Sequence, residues 1–131
     1  MTTPSWFDPR AGALGALVMG SLVALVNAPH GAGAAATSAA KQAVYTFFFG
    51  GFIVQLCHSL ASRPGPRAGV LAVAIVLPSI ITAVLIVLVH GLRGTPEPML
   101  STAVVLAIGA PSFVILALRK RRELEGAAGR H

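Results

Sequence analysis

The segment Ser38–Ala61, SAAKQAVYTFFFGGFIVQLCHSLA, decides the fold class of this chain. It is long enough to span a bilayer as a helix, because about 20 residues at about 1.5 Å each cross a hydrocarbon core of about 30 Å. Lys41 is its single Lys, Arg, Asp or Glu residue. The segment therefore predicts a transmembrane helix with Ser38 as its N-cap, and the sequence around it extends that prediction.

Three more apolar runs accompany this segment, and turns rich in Pro and Gly separate them, most clearly RPGPR at Arg63–Arg67. The chain is 55% hydrophobic and 11% charged, with a mean hydropathy of +0.79. Soluble proteins carry about 25% charged residues, so the composition favours a membrane protein. We predict an all-α membrane protein with an interfacial leader, one four-helix transmembrane domain and a basic cytoplasmic tail. The predicted ranges are 1–10 for the leader, 11–118 for the domain (helices at 11–28, 38–61, 68–90 and 98–118) and 119–131 for the tail.

The basic residues predict the orientation of these helices. The predicted leader, middle loop and tail hold eight of the ten Lys and Arg residues, and only Lys41 and Arg93 lie in the other two connections. Because short loops rich in Lys and Arg stay in the cytoplasm, we expect both termini to be cytoplasmic in a multi-pass protein of the bacterial inner membrane. The eight residues are Arg10, Arg63, Arg67, Arg119, Lys120, Arg121, Arg122 and Arg130.

The run Arg119–Arg122 follows the last predicted helix directly. Such a run attracts anionic lipid head groups, so Arg119, Lys120, Arg121 and Arg122 are predicted to contact them. Nucleic acid is not expected as a partner, because no pattern of basic and aromatic surface residues accompanies the charge.

Small residues recur at every fourth position of the first predicted helix, at Gly12, Ala16, Gly20 and Ala24. Residues four apart share one helix face, and small residues there allow two membrane helices to approach closely. Gly50 and Gly51 would allow the same approach on the second helix. These six residues are predicted to be helix-packing positions.

The third and fourth predicted helices share the pattern Ala-Ile-x-x-Pro-Ser, at 74–79 and 107–112. A proline inside a helix removes one backbone hydrogen bond, so Pro78 and Pro111 predict a kink in each helix. The matching kinks, with Ser79 and Ser112, are typical of an inverted pair around a site at the bilayer midplane. Ordinary proline kinks without a site remain the alternative.

The second predicted helix carries most of the polar side chains. Spacings of four and three place six residues of this helix on one continuous face: Lys41, Tyr45, Phe48, Phe52, Gln55 and Ser59. Polar groups are costly in lipid, so this face is expected to pack inside a bundle, line a path or contact another membrane protein. The candidate ligand or pathway residues are Lys41, Tyr45, Thr46, Gln55, His58, Ser79 and Ser112.

Residues for reaction chemistry are scarce in the sequence. All four acidic residues lie outside the predicted helices, and Cys57 is the single cysteine. The spacing of Ser38 and Lys41 matches a serine nucleophile with a lysine base, but no companion motif accompanies it. We therefore expect no enzyme, no cofactor and no assigned metal site. His30 and His90, both predicted at the outer face, leave a shared metal open as an alternative to solvated histidines.

Two functional hypotheses follow from these residues. The first is a channel or transporter component for a small solute or lipid, lined by the polar face of the second helix. The second is a non-catalytic structural or accessory subunit of a larger membrane complex. Both predict association, because the small residues of the first helix favour contact with another helix, in a homo-oligomer or with another membrane protein.

Overall fold

A computed structural model describes residues 6–92 and 98–129, with side chains described at 6–88 and 106–129. The described chain contains four α-helices, which confirms the predicted all-α class. They are α1 (Pro9–Asn27), α2 (Ala32–Ala61), α3 (Arg67–Leu92) and α4 (Pro98–Ala128), and a 3-10 helix at Ala28–His30 follows α1.

Three helical segments among the described residues are long and apolar enough to cross a membrane: Pro9–His30, Ala32–Ala61 and Arg67–Leu88. In the most apolar stretch of each, only 11%, 22% and 11% of the residues, respectively, are buried within the protein. A helix of a soluble protein buries its apolar stripe against a core, whereas these helices leave most of theirs exposed. This exposure is consistent with a membrane protein, in which lipid covers the apolar side chains.

Helix α2 begins at Ala32, six residues before the predicted start at Ser38. The alanine-rich stretch before Ser38 favours helix, and Gly31, with a φ of +97°, makes the break that precedes it. Ser38 therefore lies inside α2 and does not cap it. The predicted loop of 27–37 is reduced to the 3-10 helix and Gly31.

Helix α4 continues to Ala128, ten residues beyond the predicted end at Leu118. The added residues include glutamate, leucine and alanine, which are good helix formers. Two ion pairs along the helix support the extension: Lys120 with Glu123 at 3.8 Å and Arg121 with Glu125 at 3.4 Å.

The chain divides into two compact units, Met1–Gln55 and Leu56–His131. In the first unit, α1 packs closely on α2 through Gly12 and Gly20, which are both buried. A Cβ atom at Gly12 would lie 2.5 Å from the carbonyl oxygen of Phe47, and one at Gly20 would lie 3.2 Å from the Cβ of Ala43. The alanines of the same stripe, Ala16 and Ala24, are half-buried.

The residues before α1 also dock on α2. Asp8 caps α1, because its Oδ1 accepts hydrogen bonds of 3.0 Å from the backbone N–H groups of Arg10 and Ala11. The backbone N–H of Asp8 donates to the carbonyl oxygen of Gly51 at 3.1 Å. Gly51 is buried, and a Cβ atom there would overlap the ring of Phe7. The start of α1 is thus fixed to one position along α2.

The second unit has a core of small and buried side chains from three helices. Cys57, Ala61, Ala74 and Ala117 expose no surface, and Phe113 exposes 6%. The Cys57 thiol donates a weak hydrogen bond of 3.8 Å to the carbonyl oxygen of Phe113. Small side chains allow the helix backbones to approach, which is the usual way in which membrane helices gain packing energy.

Replacing Gly12 by alanine is expected to destabilise the first unit by about 1–3 kcal/mol, because the new methyl group would meet a backbone carbonyl that cannot rotate away. Titration of the detergent-solubilised protein with dodecyl sulfate, followed by circular dichroism, measures this change. Gly69→Ala is the matched control, since a Cβ atom at Gly69 would meet no atom within 4 Å. Equal stability of the two variants would contradict the close contact at Gly12.

Candidate functional site

The face of α2 that carries polar and aromatic side chains in the first unit is called here the α2 face. It consists of Lys41, Tyr45, Phe48, Phe52 and Gln55. Lys41, Phe48 and Phe52 are exposed, with exposed fractions of 61% for Phe48 and 41% for Phe52. Tyr45 and Gln55 are half-buried. Within the described part of the chain, most of this face is therefore open and is not packed inside the protein.

Contacts along α2 hold the side chains next to this face. The Nε2 atom of Gln42 donates to the hydroxyl of Thr46 at 3.1 Å. Tyr45 stacks on Phe49 with 6.2 Å between ring centroids and 3° between planes. Thr46 also borders the contact with α1, because a Cβ atom at Gly15 would lie 3.0 Å from its Cγ2. Thr46 is thus a packing residue at the edge of the α2 face.

The two serines of the repeated proline pattern bond to their own helices. Ser79 donates to the carbonyl of Ile75 at 2.7 Å, and Ser112 donates to the carbonyl of Ile108 at 2.9 Å. The carbonyls that lose a partner to Pro78 and Pro111 are those of Ala74 and Ala107, four residues before each proline. In each helix, the hydroxyl therefore bonds to the carbonyl one residue after the one that the proline leaves without a partner.

The two proline patterns also differ in burial. Pro78 is buried and Ser79 is half-buried, whereas Pro111 and Ser112 are exposed. The repeated sequence thus gives the same hydrogen bond in both helices. The burial of the two Pro-Ser pairs differs, however, whereas an inverted repeat would be expected to give them similar surroundings.

The histidines lie in different surroundings. His30 is exposed at the end of the 3-10 helix, and His58 is half-buried near the end of α2. The side chain of His90 lies outside the described residues, and so does the metal pairing considered for it with His30. Among the residues that the structure describes, there is no group of three or more His, Cys, Asp or Glu side chains that could hold a metal.

The basic end of the second unit contains a set of contacts called here the clasp. Arg121 donates from Nη1 to the carbonyl of Arg63 at 3.0 Å and from Nη2 to that of Gly65 at 3.2 Å. Glu125 lies 3.4 Å from Arg121 and 3.6 Å from Arg67. Charged donors to carbonyls make stronger hydrogen bonds than neutral ones. The clasp thus ties the turn between α2 and α3 to the end of α4.

The four basic residues predicted to contact lipid therefore differ in their surroundings. The Arg121 side chain is only 16% exposed and holds the turn, and Lys120 pairs with Glu123. Arg119 and Arg122 are exposed. The contacts of Arg67 and Glu125 in the clasp were not predicted from the sequence, although the spacing of Arg121 and Glu125, four apart, is a signal for a pair on one helix.

Within residues 6–92 and 98–129, the secondary structure is helical, and three helical segments are long and apolar enough to cross a membrane. Comparisons with protein-family models, with curated proteins and with solved structures found no match.

Arg121→Gln is expected to destabilise the second unit by about 1–3 kcal/mol, because both turn carbonyls lose a charged donor. Glu125→Gln should cost less than about 1 kcal/mol, since its side chain is 43% exposed and solvent weakens its ion pairs. Unfolding in dodecyl sulfate measures both variants, with Arg122→Gln as the control that removes a neighbouring charge. If Arg121→Gln were no more harmful than Arg122→Gln, the clasp would not stabilise the unit.

Proposed function

We propose that this chain is a four-span protein of the bacterial inner membrane with both termini in the cytoplasm. Three spans are the candidate segments described above, and α4 is the proposed fourth. The clasp supports this topology, because it joins the middle turn and the end of α4, two of the three basic regions. Contact of Asp8 with Gly51 brings the leader toward the C-terminal half of α2.

Within that topology, we propose that the protein is a component of a channel or transporter for a small solute or lipid. The observation that carries this proposal is the open α2 face. Lys41 and Gln55 are costly beside lipid, so a second membrane-embedded chain that covers the face would stabilise them. The path would run between the two chains, with Lys41 attracting anionic or neutral polar groups and the aromatic side chains forming the wall.

A second candidate function is a non-catalytic accessory subunit, in which the α2 face docks on a partner and no solute passes. The hydrogen bonds of Ser79 and Ser112 favour this candidate, because hydroxyls bonded to their own helices contribute little to a path. In either case we propose kinks at Pro78 and Pro111, since both prolines lie inside helices. Neither function requires catalysis.

If the α2 face meets a second copy, Phe48→Cys in a Cys57→Ala background should form a disulfide-linked dimer on mild oxidation in membranes. Two cysteines pair only when their Cβ atoms approach to about 4 Å, so the reaction reports direct contact. Ile80→Cys is the control, because Ile80 is also exposed, on α3. Gel mobility separates the outcomes: a heavier adduct with another protein favours the accessory subunit, and no adduct from Phe48→Cys contradicts contact at this position.

Transport itself is tested by flux into liposomes that contain the purified protein, with chloride, potassium and glycerol as probes. We expect flux of at least one probe, and Lys41→Ala should lower it by about tenfold, because about 1.4 kcal/mol of favourable interaction would be lost along the path. Ile80→Ala serves as the control for a lipid-facing substitution. Absence of flux of all three probes, with the dimer intact, would favour the accessory subunit over transport.

A further inference from the structure

The end of α4 presents two faces with different chemistry. One face is packed: Phe113 and Ala117 are buried, and Arg121 continues that face into the clasp. These residues are four apart, so they lie nearly in line along the helix. The packed face therefore uses its arginine to hold the protein together.

The opposite face points away from the protein. Ile108 and Ile115 expose 44% and 56% of their surface, and Arg119 and Arg122 are exposed as well. At about 100° per residue, these four positions fall within one sector, on the side away from Phe113 and Ala117. An exposed apolar stripe thus ends in two exposed arginines.

We propose that this face of α4 is a binding site for an anionic phospholipid. One acyl chain would lie along Ile108 and Ile115, and the phosphate group would bind between the Arg119 and Arg122 guanidinium groups. Arginine is well suited to this role, because its planar fork of N–H donors matches the oxygens of a phosphate. The rise of about 1.5 Å per residue puts Arg122 about 10 Å above Ile115, a distance that a head group and the start of an acyl chain can span.

The positive charges of Arg119 and Arg122 favour an anion as the occupant of this site. Arg119 and Arg122 are three residues apart on a helix, so their like charges repel each other unless an anion lies between them. The two basic residues between them form ion pairs with glutamates: Lys120 lies 3.8 Å from Glu123, and Arg121 lies 3.4 Å from Glu125. Among the described residues, neither Glu123 nor Glu125 forms an ion pair with Arg119 or Arg122, which leaves both available to a lipid phosphate.

This inference depends on the proposed function only in placing α4 in the membrane, and it does not depend on transport. Loss of flux with intact lipid binding would remove the transport proposal alone. Loss of specific lipid binding with intact flux would remove this inference alone.

The test uses the full-length protein in a neutral detergent, titrated with dioleoylphosphatidylglycerol and followed by native mass spectrometry. We expect one tightly bound lipid on the wild-type protein and at least a tenfold weaker apparent affinity in the double variant Arg119→Gln/Arg122→Gln. The matched control is Arg10→Gln/Arg63→Gln, which also removes two positive charges from exposed arginines but leaves the pair and the ion pairs around it intact. It should bind the lipid as the wild-type protein does.

Three results would overturn the proposal. An equal loss in both double variants would mean that net charge alone attracts the lipid. If dioleoylphosphatidylcholine bound as tightly as dioleoylphosphatidylglycerol, the acyl chains alone would be recognised. Protection from thermal unfolding by millimolar inorganic phosphate to the same extent as by the lipid would assign the arginine pair to free phosphate.

A second substitution keeps the test valid if the double glutamine variant is poorly folded. Arg119→Lys/Arg122→Lys keeps both charges and removes the guanidinium fork, so it should fold and bind the lipid with an affinity between those of the wild-type and the glutamine variant. Circular dichroism without lipid checks the fold of each variant. Wild-type affinity in the lysine variant would contradict recognition by the arginine fork.

Discussion

The close approach of helix backbones is the constraint on which the rest of this structure depends. In lipid, helices gain little by hiding apolar side chains from their surroundings, so packing and a few polar contacts have to hold them together. The first unit meets this requirement with glycine: at Gly12 and Gly51 there is no space for even one methyl group. The second unit meets it with alanines and with the clasp at its basic end.

The two units also use charge differently. In the first, the carboxylate of Asp8 accepts hydrogen bonds from backbone N–H groups at the start of α1. In the second, Glu125 is shared between Arg67 and Arg121, and Arg121 reaches two backbone carbonyls in addition. Neither arrangement involves the centre of a predicted span. Polar contacts at the ends of the helices thus fix geometry where water or head groups can assist them.

The apolar runs of the sequence predicted the helical class, because they are long enough to cross a bilayer as helices. The composition placed the chain outside the usual range of soluble proteins. The boundaries were harder to predict: Ser38 looked like a helix cap, but the alanines before it continue the helix back to Gly31. Glycine spacing indicated a packing face on α1, although it did not show that Gly51 would receive Phe7 and Asp8. That contact joins residues far apart in sequence, and periodicity along one helix contains no information about it.

The candidate site shows the same limit of sequence reasoning. Spacing placed Lys41, Phe48 and Phe52 on one face, but whether that face is covered depends on other helices or other chains. In the basic run, Arg119 and Arg121 are alike in sequence and differ only in what lies opposite them. Their separate surroundings follow from the angle between successive residues on a helix, together with the position of the middle turn.

Trp6 is the single tryptophan of the chain, and its ring lies 5.8 Å from that of Phe7, the residue that docks beside Gly51. Cys57, the single cysteine, is fully buried in the second unit. The protein therefore carries one natural fluorophore in its first unit and one natural thiol in its second. Tryptophan emission and thiol reactivity can report on the two units separately, without any introduced label.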